Sequence, residues 1–220
     1  MNKKIIIIGN TEYSRLIRYY IEVDTELEVI AYSVEKDYVE TEYFDNIPLI
    51  ALEELTKSYP VNEYDIILGV GYSKMNTIRE KLYRKIKKYG YRVINYIHST
   101  AVISSNSVIG EGNIIMENVV VAPYSTIGSG NIIWNSVNVS HNNVVGNFNS
   151  LSVGTSLSGF VEVGNNCFLG NNCTVKNHLK IANYSLIGAS SYVSESTEEY
   201  QVIVPQKSIV LDRKISTDLI

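Results

Sequence analysis

Ala101-Val102-Ile103-Ser104-Ser105-Asn106 is followed by Ser107-Val108-Ile109-Gly110-Glu111-Gly112, and this six-residue beat continues without a break to Ser196. The third place of all sixteen units is aliphatic, from Ile103 and Ile109 through Val139, Val145 and Leu151 to Ile187 and Val193. The fourth place is Gly, Ala or Ser in thirteen of the sixteen, the exceptions being Met116, Trp134 and Lys176. A helix needs apolar spacing near 3.6 and a flat strand needs 2, so a period of six means strand, corner, strand. If three units make one turn of a triangular prism, residue i stacks on i+18, giving ladders such as Ile103–Val121–Val139–Leu157–Val175–Val193. Turns spaced like neighbouring strands, roughly 4.8 Å apart, build a rod on the order of 25 Å tall.

Met116 and Trp134 are eighteen apart and share an edge, where they stack or are buried against another subunit. Cys167 and Cys173, the two cysteines of the chain, fall on adjacent faces. They read as apolar structural positions or free thiols, not as an intramolecular disulfide.

The part before the repeat has a different rhythm. Lys4–Ile8 is a mainly apolar run that ends at Gly9, and Thr11 can cap the amphipathic segment Tyr13–Val23. Strand-like runs at Leu27–Ser33, Tyr64–Gly69 and Tyr91–Ile97 alternate with helical segments at Leu52–Lys57 and Asn76–Tyr89. Such alternation predicts a small parallel sheet with right-handed crossovers, in which ligands bind beyond the strands' carboxyl ends, near Gly9 and Gly71. Gly9-Asn10-Thr11-Glu12-Tyr13-Ser14 holds one of the three glycines of a dinucleotide fingerprint, which argues against an NAD enzyme.

Composition removes other classes. The 220 residues are 45% apolar with a formal net charge of −4, and the densest basic group is Arg84, Lys85, Lys87 and Lys88 on a helical segment, so nucleic acid is not an expected partner. The apolar run Ile5–Ile8 is too short for a signal peptide or a membrane span, which predicts a cytoplasmic protein without a membrane partner. Three scattered histidines and no clustered carboxylates predict no metal site.

His141, in Ser140-His141-Asn142-Asn143, occupies the fifth place of its six, at a corner pointing away from the aliphatic ladder. Its stacked neighbours are Pro123 and Gly159, and the glycine leaves space beside the ring. A corner histidine is either a general base or an ordinary solvated residue. His98, at the junction of the two halves, and His178, in a later corner, read as structural.

An alternating α/β half, then Ile97-His98-Ser99-Thr100-Ala101-Val102, then an unbroken hexapeptide array resembles the bacterial sugar O-/N-acyltransferase family. It is similar in particular to N-acetyltransferases of nucleotide-linked 4-amino-6-deoxy sugars and to sialic-acid O-acetyltransferases. The resemblance implies an α/β Rossmann-like acceptor-binding domain at 1–99, a left-handed parallel β-helix at 100–198 and a tail at 199–220 that closes it. It also implies a homotrimer with active sites between neighbouring β-helices, acetyl-CoA as acyl donor and a nucleotide-linked amino sugar as acceptor, for surface glycan synthesis. His141 then becomes the general base, a role suited to imidazole, with Asn142 where the family usually carries Glu or Asp. Position by position, Ser150, Asn171, Gly188 and Ala189 become the coenzyme A environment, Ser150 standing in for a second histidine. Gly9, Thr11, Glu12, Tyr13, Ser33, Val34 and Gly71 become the acceptor site, with Glu12-Tyr13 in place of Gly-His and Ser33-Val34 in place of a paired acidic residue. Ile203-Val204-Pro205-Gln206-Lys207 keeps the Val, Pro and Lys of a Gly-Val-Pro-Ala-Lys signature.

Three other readings stay open: a degenerate member that binds a sugar nucleotide or a partner without turnover, an enzyme with another acyl group or an amino-acid acceptor, and a purely structural β-solenoid.

Overall fold

A computed structural model describes residues 3–208 and Thr217. The tail expected at 199–220 lies, from 209 onward and Thr217 aside, outside the described residues. Strand β1 is Lys4–Ile8, followed by helix α1 (Glu12–Asp24), β2 (Glu28–Val34), β3 (Tyr43–Phe44), β4 (Ile47–Ala51), α2 (Leu55–Ser58), β5 (Asp65–Leu68) and α3 (Thr77–Lys88). The sheet order is β3-β4-β2-β1-β5. Four strands run parallel, and β3 pairs antiparallel with β4 through Asp45 and Asn46, whose φ values of 49° and 60° make a tight hairpin turn. The sheet is therefore mixed, where the alternation pattern predicted an all-parallel one. Ile5 to Ile8 are fully buried, because helices cover both faces of this central strand.

The repeat folds as its period requires. Among the described residues its two-residue strands form three stacked parallel sheets. The first face begins at Val102–Ile103, the second at Val108–Ile109 and the third at Tyr96–Ile97. Pairing is strictly i to i+18, so Ile103, Val121, Val139, Leu157, Val175 and Val193 form one ladder. These sheets fit a left-handed β-helix. The sixth place of most units takes a left-handed backbone, as at Asn118, Tyr124, Asn142, Phe160 and His178. The small fourth place answers a different need: a Cβ on Gly110 would lie 2.7 Å from the carbonyl of Gly128 one turn on. Cys167 and Cys173 are buried and unbonded, and burial pushes both thiols up to about 11.

The expected strand Tyr91–Ile97 divides between the two parts. Val93 bridges to Ile66 of β5, whereas Tyr96–Ile97 pairs with Ile114–Ile115 and opens the third face of the prism. That third face carries the N-terminal sheet and its helices. Met116 joins the apolar cluster of β1, β2 and α1, and Trp134 meets Tyr13 with ring centroids 5.8 Å apart, so both cover their own chain's first half. Arg79, fully buried in α3, locks the contact. Its guanidinium donates to the carbonyls of Leu68 and Val70 beside β5 and to those of Gly112 and Gly130 on the prism, at 2.7–3.0 Å.

Candidate active site

Two separate surfaces carry the expected residues. The first is a cleft of about 720 Å³ at the carboxyl ends of β1, β2 and β5, lined by Gly9, Thr11, Glu12, Tyr13, Val34 and Gly71. Gly9 has φ 123°, and a Cβ there would stand 2.8 Å from the Gly69 carbonyl oxygen, so the turn demands glycine. Thr11 is the N-cap of α1, its N–H donates to Ser14 Oγ at 3.0 Å, and Ser14 Oγ donates to Gly69 O at 2.9 Å. This fixes the start of α1 over the strand ends, where its first N–H groups can receive an anion. Tyr13, on α1, packs against Trp134 of the prism, and its hydroxyl is buried without a hydrogen-bond partner, which pushes its pKa up to about 12.

Ser33 does not belong to this cleft. It is fully buried with its hydroxyl unpartnered, because strand alternation turns it inward. The acidic group at the end of β2 is Glu35, two residues on, which lines the cleft and pairs with Lys81 at 3.1 Å and Lys85 at 3.8 Å. Glu35, Tyr38 and Tyr72 escaped the sequence reading; an acidic residue just past a buried parallel strand was the available signal for the first. The lining residues include Glu12 and Glu35 and no Lys or Arg.

The second surface is the edge between the first and second prism faces. His141 is exposed there, with Nδ1 2.9 Å from Asn142 Oδ1. Donation of Nδ1–H to that amide oxygen leaves Nε2 as the nitrogen that carries the lone pair. Asn142 reaches the ring from a left-handed backbone with φ 58°. The ring also meets Phe160 edge-on at 5.2 Å, and Phe160 stacks on His178 at 4.7 Å. A Cβ on Gly159 would be 2.8 Å from Nε2.

Of the expected donor residues, Asn171 and Ala189 are exposed and stacked eighteen apart on the edge that follows the third face, with Gly188 half-buried beside them. Gly188 N–H donates to Ile203 O at 2.7 Å, and Pro205 runs alongside, which brings the Val-Pro segment to this edge. Ser150 departs from expectation. It lies on the third face beneath the start of α3, fully buried, and donates to Asn76 Oδ1 at 3.0 Å, so its side chain is engaged within the chain.

An edge shared by the first and second faces lies opposite the third. His141 and the cleft therefore stand on opposite sides of one chain. No group of three or more His, Cys, Asp or Glu suited to a metal ion occurs among the described residues, and none of their helices is long and apolar enough to cross a membrane.

No model of a known protein family matches the chain. Several solved structures share its fold. The acetyltransferase domain of PglB from Neisseria gonorrhoeae is 21% identical with a TM-score of 0.80, covering 91% of this chain and 96% of that one. PerB from Caulobacter crescentus, solved with CoA and GDP-perosamine, is 24% identical with a TM-score of 0.79 over 90% and 92% of the two chains. WeeI from Acinetobacter baumannii is 17% identical with a TM-score of 0.77 over 91% and 96%. The Neisseria domain has also been solved with acetyl coenzyme A.

Proposed function

We propose that this chain is an acyl-CoA-dependent acyltransferase that moves an acetyl group from acetyl-CoA to the amino or hydroxyl group of a nucleotide-linked sugar for surface glycans. The observation that carries the reading is the His141–Asn142 pair on an exposed edge of the β-helix, in a chain whose α/β half opens a ligand-sized cleft. Acetyl-CoA and GDP-perosamine, bound by proteins of the same fold, support the choice of substrates.

In this mechanism His141 Nε2 takes the proton as the acceptor nitrogen or oxygen attacks the thioester carbonyl. The tetrahedral intermediate then collapses, the C–S bond breaks, and CoA leaves as a thiol after receiving a proton. Asn142 holds the ring tautomer. Asn171, Gly188 and Ala189 line the donor edge, where backbone groups meet the pantetheine. The first half acts as a Rossmann-like acceptor domain in which Gly9, Thr11, Glu12, Tyr13, Val34, Glu35 and Gly71 surround the nucleotide, the diphosphate resting on the start of α1. Because base and cleft face opposite sides of one chain, the site is completed by a neighbouring copy in a homotrimer. We assign the reaction to the cytoplasm.

Incubation with acetyl-CoA and candidate UDP-, dTDP- and GDP-linked 4-amino-sugars, with free CoA read by a thiol reagent, tests this. Turnover is expected and falls at least about a hundredfold in His141→Ala. Equal turnover in the variant removes His141 from the mechanism. Glu12, a carboxylate on a cleft whose lining residues include no Lys or Arg, favours one second reading, acyl transfer to an acceptor that bears no phosphate.

A further inference from the structure

Tyr72 is a large aromatic left 52% exposed at the mouth of the cleft, yet it is held firmly. Its ring packs on Phe168 of the third face, with centroids 5.0 Å apart and planes tilted by 48°. The backbone that follows is equally constrained. Lys74, Met75 and Asn76 have φ values of 51°, 52° and 60°, three successive non-glycine residues in the left-handed region that L side chains resist. They stay there because the prism grips them: Ser150 Oγ donates to Asn76 Oδ1 at 3.0 Å and Asn166 Nδ2 donates to Met75 O at 3.3 Å. Strain retained by surrounding contacts next to a cleft is characteristic of ligand clamps.

The position of the pair defines what it can hold. Phe168 begins the strand Phe168–Leu169, which runs directly into Gly170 and Asn171 on the proposed donor edge. Tyr72 thus stands between the cleft and that edge, where the part of an acceptor beyond its nucleotide must lie. A pyranose presents an apolar C–H face that fits an aromatic ring, and a pre-positioned ring binds it with little ordering cost.

We propose that Tyr72, braced on Phe168, is the platform on which the hexose ring of the acceptor stacks, and so sets selectivity for the sugar and not for the nucleotide. The proposal rests on the nucleotide-sugar reading given above. Titration calorimetry with GDP, UDP and dTDP and with their 4-amino-4,6-dideoxyhexose conjugates separates the two. Wild-type protein is expected to bind one conjugate about tenfold more tightly than its bare nucleotide. Tyr72→Ala removes that increment while bare nucleotide affinity stays within about twofold, Tyr72→Phe keeps it, and Phe168→Ala reduces it. The platform is overturned, and the acceptor reading left standing, by a wild-type protein without the increment. An increment that survives Tyr72→Ala, or equal loss of nucleotide and conjugate binding in that variant, has the same consequence. Failure of all six probes to bind wild-type protein overturns the acceptor reading and the platform together.

Discussion

Gly159 stacks one turn above Pro123's successor-but-seventeen, His141, so closely that a Cβ at 159 would stand 2.7 Å from Cε1 and 2.8 Å from Nε2 of the ring. The glycine has no positive φ to satisfy, so its role is the space it leaves. Gly159→Ala is expected to rotate the exposed imidazole out of register with Asn142 and lower kcat at least about tenfold, since small misplacement of a catalytic group is costly. The melting temperature stays within about 2 °C, because an exposed ring moves at little cost in stability. Steady-state kinetics beside a thermal melt check both.

Asn142 orients the ring through Nδ1 but adds no charge. Asn142→Asp supplies a carboxylate at the same place, which favours the imidazolium and raises the basicity of the ring. The acid limb of the kcat profile then moves to higher pH and kcat is retained. Asn142→Ala loses the orienting acceptor and places alanine at φ 58°, so both kcat and stability fall, the latter by about 1 kcal/mol. pH–rate profiles of the three proteins decide it.

The placement of His141 opposite the third face predicts complementation between copies. His141→Ala and Gly9→Ala are each expected to be inactive, the second because its Cβ would press on Gly69 O at 2.8 Å. Mixed, unfolded and refolded together, they regain up to about a quarter of wild-type activity, through sites that draw the intact cleft and the intact base from different copies. A mixture as inactive as its parts places base and cleft of the working site in one chain.

The prism was legible because a period of six admits one geometry, and pairing at i+18 follows from it down to the ladder from Ile103 to Val193. What the period could not reveal is which face another element covers. Ser150 looks like any polar outward residue in the repeat, and only the packing of α3 buries it. Met116 and Trp134 were rightly marked as exceptional large residues at an edge, but the surface they meet is the first half of their own chain. In the α/β half, strands hidden on both faces announce themselves as apolar runs, whereas the hairpin through Asp45 and Asn46 joins a strand of two residues, Tyr43–Phe44, to Ile47–Ala51, whose run is interrupted by Pro48. The same shortness of local signal hid Glu35, one residue beyond a strand that ends at Val34, one residue past the Ser33 that the apolar run suggests.

Arg79 meets four carbonyls and no carboxylate, and burial pushes its guanidinium down to about 10. Arg79→Met relieves the burial of charge but leaves carbonyls of Leu68, Val70, Gly112 and Gly130 without these donors. Unpartnered buried groups cost about 1–3 kcal/mol each, so a net loss of about 3 kcal/mol is expected. Denaturant unfolding of the two proteins measures it. A loss below about 1 kcal/mol means that the halves hold together without this lock.

Asp24 ends α1 and ties it to the first corner of the prism, accepting from the N–H of Ser99 at 2.9 Å, from Ser99 Oγ and from Tyr96 OH at 3.1 Å. Burial alone would raise its pKa, but these bonds, with His98 nearby, outweigh that and hold the carboxyl below its ordinary 3.8. A carboxyl depressed in the folded state contributes stability that is complete above about pH 4 and is lost as pH falls through the folded value. Asp24→Asn is therefore expected to cost about 1–2 kcal/mol at pH 7, where charge-assisted bonds are replaced by neutral ones. The deficit shrinks as pH falls through the folded-state value, which lies below 3.8, because the wild-type carboxyl is then itself protonated. Melts of both proteins across pH 2.5–7 check this, and a gap that stays constant into acid assigns the junction's stability to packing around Tyr96 and not to the Asp24 charge.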